Sequence, residues 1–263
     1  MYSDILTISL VQYAPLWEDI LANLSRLGKM LLQLRGKTDL IILPELFSTG
    51  FSMNIGKTCC NDHSSLEWMQ QQAELTGAMI VGSIAVMENT HCYNRFYWVY
   101  PDGKTGHYDK RHLFSVSDEP LYFTAGAEQK QFAWRGWEIK PIICYDLRFP
   151  VWCYNNRTKP YDLLLCPASW PAVRSDAWLT LLKARALENQ CYTVGVNRIG
   201  TDGNGLQHKG DTIIYGSRGE TIGKIPENEE GVATFDISLV ALHNFRKKFP
   251  VLNDMDEIPY INC

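Results

Sequence analysis

The run LIILPE, residues 40–45, stays apolar from Leu40 to Leu43 without alternation. A strand with one wet face alternates apolar and polar residues, so a strand of this kind must be covered on both faces. PIIC (141–144) and YDLLLCPAS (161–169) have the same character. A chain with several such strands has to place layers on both sides of a sheet. Helical spacing supplies the covers. Ile20, Leu24, Leu27, Leu31 and Leu34 fall on one face of a helix within 17–35. Residues 64–77 predict a second helix, with Ser64 or Ser65 near its N-cap and Gly77 just past its end, and Ser175 opens a third over 175–190.

Further strands are predicted at ILTISLVQY (5–13), MIVGSIAVM (79–87), NRFYWVY (94–100), CYTVGVNRI (191–199) and GVATFDI (231–237). PDG (101–103) turns the chain. QFAWRGWEI is expected to pair with PIICYD across Gly136, and DTIIYGSRGETIGKI to fold as a hairpin around Arg218–Gly219. Alternating strands and helices with hairpins between them describe a layered α/β fold with a mixed sheet. No linker, low-complexity tract or solenoid repeat divides the chain. We expect one domain over residues 1–263, a helix from Leu239 and a tail from about residue 250.

The formal net charge of −4 offers nothing to attract nucleic acid or an anionic membrane. No apolar stretch reaches the roughly 18–20 residues of a membrane span. MYSDILTISLVQY lacks a basic leader and a small-residue cleavage site, so it is read as a strand, and a cytoplasmic chain is expected. The eight cysteines make no C-x-x-C pair. In a reducing compartment a chain this long needs no staples, and most of its thiols are expected to be small buried hydrophobes.

Chemistry gathers where apolar runs end. IILPE ends at Glu45, HYDKRHLF carries Lys110, and PIIC ends at Cys144. Strand ends are where layered α/β folds assemble sites, because the sheet fixes what projects there. Singly, each residue has an ordinary reading as a loop acid, a surface lysine or a core thiol. Together they are chemically complete. A free thiol has a pKa near ~8.5 and becomes a strong nucleophile when deprotonated. A carboxylate can take its proton, and an ammonium can favour the thiolate and then an oxyanion.

Competing readings fare worse. Cys144 and Arg148 are separated by three residues without a glycine, which does not make a phosphate-cradling loop. A Cys–His hydrolase stays open through His112 and His208. GTDGNG (200–205) runs on into a hairpin rather than a dinucleotide loop. CCNDH (59–63) lacks a second pair of metal ligands, so no zinc and no cofactor are expected. A non-catalytic metabolite-binding α/β module is the alternative from another class.

LPELFSTGF, YDKRHLF and IICYDLRFP, in this order, resemble the three signature blocks of the nitrilase, or carbon–nitrogen hydrolase, superfamily, over about residues 5–250. The resemblance implies a four-layer α-β-β-α sandwich, commonly dimerised. It implies a Glu–Lys–Cys triad at Glu45, Lys110 and Cys144, with Glu119 in SDEPLYFTAG as a second glutamate. WRGWEIKPIICYDLRFPVW, ASWPAVRSDAW, KARALENQ and NRIGTDGNG resemble the omega-amidase branch, which hydrolyses the terminal amide of 2-oxoglutaramate or 2-oxosuccinamate. Other amide or N-carbamoyl hydrolases of the superfamily are the nearest alternative. In this reading the backbone N–H of Tyr145 joins Lys110 at the oxyanion. Arg174 takes the substrate's remote carboxylate, because a planar guanidinium suits it. Phe51 and Trp170 form apolar walls. Val151–Trp152 stands where relatives commonly have Glu–Leu, so Arg148 is read as a structural support of the nucleophile turn. The expected partner is a small amide substrate, with a homodimer as the assembly.

Overall fold

The computed structural model describes residues 3–59 and 64–256. The first half of the chain runs β1 (Ile5–Gln12), α1 (Ile20–Leu31), β2 (Leu40–Ile42), α2 (Ile55–Thr58), α3 (Ser64–Thr76), β3 (Met79–Glu88), β4 (His91–Val99), β5 (Thr105–Asp109) and α4 (Glu119–Tyr122). The second half runs β6 (Phe132–Trp134), β7 (Trp137–Pro141), α5 (Pro150–Cys153), β8 (Leu163–Ala168), α6 (Ser175–Glu188), β9 (Tyr192–Asn197), β10 (Ile199–Thr201), β11 (Gln207–Lys209), β12 (Ile213–Tyr215), β13 (Thr221–Lys224), β14 (Gly231–Ser238) and α7 (Leu239–Lys248).

Two six-stranded mixed sheets result, ordered β14-β1-β2-β3-β4-β5 and β13-β12-β9-β8-β7-β6. Each has three parallel strands at its centre, β1–β2–β3 in one and β7–β8–β9 in the other. These include the continuously apolar runs, and the register shows why they carry no polar face. Leu10, Ile42 and Val81 stand side by side and point at the second sheet, where Ile139, Leu163, Leu165 and Val194 meet them. The intervening Ile41 and Ile80 point the other way, onto Leu24, Leu27 and Leu31 of α1 and Met69 and Ala73 of α3. Helix α6 covers the outer face of the second sheet through Trp178, Leu182 and Ala186. The architecture is therefore the expected α-β-β-α sandwich.

Three details differ from the sequence reading. β6 pairs with Trp137–Ile139, not with PIICYD. β7 ends at Pro141, and Cys144–Arg148 form a 3-10 turn. The PIIC run is apolar because it is buried between layers, not because it is all strand. Second, Cys59 and Cys92 form a disulfide, whereas Cys144, Cys153, Cys166 and Cys191 are free and buried. Cys59 follows α2 and Cys92 lies on β4, and both pack with Phe123 in a satellite cluster apart from the main core. Third, the tail expected from about residue 250 begins as a 3-10 turn, Val251–Asp254, and residues 257–263 lie outside the described residues.

Gly195 of β9 marks where α6 comes closest to its sheet. A Cβ there would overlap Leu182 Cδ1 and Trp178 Cζ2. The indole cannot withdraw freely, because its Nε1 donates to the Asp211 carbonyl at 2.9 Å. Gly195→Ala should therefore destabilise the fold by about 1–3 kcal/mol through overpacking. Urea unfolding would show a lower midpoint at unchanged slope; an unshifted midpoint would mean that α6 is not held against β9 in this way.

Candidate active site

Four strand ends converge on one cavity of about 540 Å³. β2 leads through Leu43 and Pro44 to Glu45, β5 to Lys110, β7 to Cys144, and β8 to Ser169 and Trp170. These are the carboxyl ends of their strands, where an open α/β sheet leaves its crevice.

Lys110 is the hub. Its ammonium donates to Glu45 Oε1 at 2.8 Å and to Glu119 Oε1 and Oε2 at 2.9 and 3.0 Å. The three side chains are at most 1% exposed. Burial alone would strip the ammonium of its proton, but Glu119 and Glu45 outweigh it and hold Lys110 charged, with a pKa above the ordinary lysine value. Glu119 is pushed up, first by burial and against the pull of Lys110, with Glu45 adding like-charge repulsion. Its Oε2 also accepts the Phe114 N–H at 2.5 Å. The ammonium lies 5.1 Å from the centre of the Phe51 ring, a cation–π contact that closes its remaining side.

Glu45 is fixed at both oxygens. Oε1 also accepts from Asn94 Nδ2, and Oε2 accepts the Ser169 N–H, each at 2.8 Å. The turn after it passes through Leu46 at φ +45°, and Ser83 of β3 holds that turn by accepting the Leu46 N–H on Oγ at 2.9 Å.

Cys144 is 9% exposed, with φ +44°, a region that side-chain-bearing residues enter only when their surroundings enforce it. Asp146 supplies that enforcement. Its Oδ2 accepts the Ile143 N–H at 3.0 Å and the Tyr108 hydroxyl at 2.7 Å. Its Oδ1 accepts the His112 N–H at 2.8 Å, and His112 Nδ1 lies at the same distance. The carboxylate thus ties the nucleophile turn to the segment that carries Lys110. Arg185 of α6 clamps the turn from behind, donating Nε and Nη2 to the Leu147 carbonyl at 3.2 and 2.8 Å. Burial raises the Cys144 thiol well above its ordinary range; Glu45 adds to this, and Lys110 opposes it. Burial thus favours the neutral form of the Cys144 thiol, with the Glu45 side chain beside it.

All the residues singled out from sequence border this cavity or the cluster behind it: Glu45, Phe51, Lys110, Cys144, Tyr145, Arg148, Trp170 and Arg174 line it, and Glu119 stands behind Lys110. Asp146 and Arg185 make the hydrogen bonds to the turn that Arg148 was expected to support; the Arg148 guanidinium lies over the Trp170 ring, 4.9 Å from its centre. Of the two histidines, His112 is engaged with Asp146, and His208 sits in the cavity wall on β11, its ring Nδ1 3.1 Å from the Leu206 carbonyl. Asn94, Ser169 and Asp146 were not singled out beforehand. Asp146 had a visible signal, an acid two residues past the nucleophile; Asn94 and Ser169 had none. Asp202 and Asn204 of the GTDGNG loop also border the cavity. Of the CCNDH run, only Cys59 is among the described residues.

Two measurements test this geometry. Alkylation of Cys144 by iodoacetamide should keep accelerating above pH 9.0, since the thiol titrates above that value; a plateau below it would mean a resting thiolate. Asp146→Asn keeps the size of the side chain but weakens a carboxylate that gathers four donors. It should lower kcat by about 10-fold or more while KM changes little. Unchanged kcat would remove Asp146 from the positioning of the nucleophile.

The carbon–nitrogen hydrolase family model matches residues 7–247. The omega-amidase YafV of Escherichia coli (strain K12) is 42% identical over 252 residues, covering 96% of this chain and 97% of that protein. A 2-oxoglutaramate amidase of Bacillus subtilis (strain 168) is 35% identical over 221 residues, covering 82% and 85%. Among solved structures, XC1258 of Xanthomonas campestris, a CN-hydrolase superfamily protein with an arsenic adduct in its active site, superposes with a TM-score of 0.94 at 42% identity, covering 97% of this chain and 99% of that one. Nit3 of Saccharomyces cerevisiae, at 22% identity and a TM-score of 0.85, shares the fold over 95% of this chain and 96% of its own. With the sandwich, the buried Glu–Lys–Cys cluster and these similarities together, the chain belongs to the carbon–nitrogen hydrolase family.

Proposed function

We infer that this chain is an omega-amidase. It hydrolyses the terminal amide of ω-amido 2-oxo acids, of the class of 2-oxoglutaramate and 2-oxosuccinamate, to the dicarboxylate and ammonia. One observation carries the reading: the cluster of Cys144, Glu45 and Lys110 opens into a cavity that also holds Arg174, which among the described residues has no acidic partner within ion-pair distance. Arg174 contacts the Phe114 ring, 5.6 Å from its centre, and makes no ion pair with Asp176. A cation left unneutralised in the wall of a cavity suits an anionic substrate. The omega-amidase and 2-oxoglutaramate amidase names of the relatives agree with this choice.

The chemistry follows from the charges. Cys144 Sγ attacks the amide carbon as its proton passes to Glu45. The carbonyl oxygen becomes an oxyanion between the Lys110 ammonium and the Tyr145 N–H. Glu45 then protonates the nitrogen, the C–N bond breaks, and ammonia leaves a thioester on Cys144. Water takes the vacated place and gives a proton to Glu45. Its oxygen adds to the thioester carbon, and collapse expels the sulfur, which recovers its proton. Glu119 keeps Lys110 aimed throughout. A homodimer in the cytoplasm completes the reading.

Release of ammonia tests it. Across ω-amido 2-oxo acids, simple amides and N-carbamoyl amino acids, the first class should give the highest kcat/KM. Faster turnover of N-carbamoyl compounds would place the enzyme elsewhere in the family. Cys144→Ala should abolish turnover, and Lys110→Ala should cut it by at least ~10²-fold in a folded protein. Near-wild-type activity in a purified Cys144→Ala protein, or failure of the wild-type thiol to react with an alkylating agent, would favour a non-catalytic binding module. Arg174→Met should raise KM for 2-oxoglutaramate far more than for an uncharged amide such as pentanamide; equal effects would take Arg174 out of the site.

A further inference from the structure

Arg148 and Arg174 stand on one wall of the cavity and share an anchor, Trp170. The Arg148 guanidinium lies over the indole ring, 4.9 Å from its centre, and the indole Nε1–H donates to the Arg174 carbonyl at 2.8 Å. The Trp170 backbone is itself anchored: its N–H donates to Asn197 Oδ1 at 2.8 Å and its carbonyl accepts from Asn197 Nδ2 at 3.0 Å. Among the described residues neither guanidinium has a carboxylate within ion-pair distance, and neither donates a side-chain hydrogen bond. The nearby acids are engaged elsewhere or stand at the rim. Glu18 is held by Ser52 and Lys57, Asp202 Oδ1 accepts the N–H groups of Asn204 and Leu206, and Asp118 is exposed. Arg148 sits at the end of the same 3-10 turn that begins with Cys144, so its position relative to the nucleophile is set by one short rigid element.

Two unneutralised guanidiniums on one wall repel each other unless an acceptor lies between them. A carboxylate alone needs one planar fork. A 2-oxo acid presents more: a carboxylate and, beside it, a ketone oxygen that also accepts.

We propose that Arg148 recognises the 2-oxo group. This rests on the omega-amidase reading and adds a division of labour to it. Arg174 takes the carboxylate. Arg148, on the side nearer the nucleophile, donates to the ketone oxygen and the adjoining carboxylate oxygen. The same placement rejects the corresponding 2-amino acid. An ammonium at that carbon would face a guanidinium with no acid to offset it, and would leave the Arg148 donors unpaired. Arg148 is thus the residue that separates an ω-amido 2-oxo acid from glutamine or asparagine.

The experiment compares three amides that differ only at this carbon: 2-oxoglutaramate, glutaramate with a methylene there, and L-glutamine. The wild-type enzyme should prefer the ketone strongly. Arg148→Met should reduce the ratio of kcat/KM for 2-oxoglutaramate over glutaramate by about 10- to 100-fold, the worth of hydrogen bonds to a charged donor. It should also narrow the gap to L-glutamine. Arg174→Met should depress both carboxylate substrates and leave that ratio within about 3-fold. The rate of Cys144 alkylation and the melting temperature report on the nucleophile turn. If Arg148→Met lowers both substrates by one factor and slows alkylation, Arg148 braces the turn and the proposal falls. If the wild type prefers the ketone and Arg148→Met keeps that preference, the proposal falls while the omega-amidase reading stands. A wild type indifferent to the ketone overturns both.

Discussion

The ammonium of Lys110, buried between two carboxylates, is the interaction on which the rest of the site depends. Taken alone, any of the three charges would be costly to bury, and removing one partner would leave the others uncompensated. Together they fix one another and fix the electrostatics of Cys144. The cluster already contains Glu45 and Glu119 against a single cation, and ionising a nearby thiol would add another negative charge in a water-poor setting. Burial first, and then repulsion from Glu45, push the thiol up and not down, despite an ammonium nearby. Moving the proton from sulfur to Glu45 leaves the net charge of the cluster where it was. The arrangement therefore favours attack coupled to proton transfer over storage of a thiolate.

The same logic explains what surrounds the cluster. A charge network this deep must have its hydrogen bonds satisfied, and it draws them from both sheets. Asn94 comes from β4 of one sheet and Ser169 from the end of β8 in the other, and both donate to Glu45. The Glu45 carboxylate thus spans the interface between the two halves of the sandwich. Asp146 makes the complementary link, from the second-sheet turn back to Tyr108 and His112 beside Lys110. Glu45 and Asp146 thus both cross the interface, the first beside Lys110 and the second through the turn at Cys144.

Much of this was readable from sequence, for a physical reason. Strands covered on both faces cannot alternate, so LIILPE and YDLLLCPAS announced a layered sheet, and the 3.6-residue spacing in 17–35 announced its cover. Glu45 and Cys144 were legible because each ends an apolar run, where side-chain chemistry is placed by the sheet; Lys110, after a polar strand, was legible through the resemblance of YDKRHLF to a signature block. What escaped depends on distant contacts. The 3-10 turn at Cys144 looked like a continuing strand, because its positive φ is enforced by Asp146 and Arg185, the latter well down the chain. Asn94 and Ser169 look like any polar residue near a strand end; only convergence gives them a role. The Cys59–Cys92 bond joins positions whose spacing carries no signature, brought together by the packing around Phe123.

Arg148 is where the structure adds most to the local sequence. Next to a nucleophile, in a turn rich in charge, an arginine reads as a brace. The brace is built from other groups: Arg185 already donates two hydrogen bonds to the Leu147 carbonyl, and Asp146 holds the amide ahead of Cys144. That leaves the Arg148 guanidinium free to lie over Trp170 and face the cavity. The stretch that follows it, Phe149–Cys153, contains no acid to draw it back. In the proposed reading the triad determines which bond is broken. The choice among amides then falls to side chains on the rim of the same turn. A guanidinium that faces the cavity, a few residues from the sulfur and on the same rigid element, is placed to measure the distance between the scissile amide and the far end of the substrate.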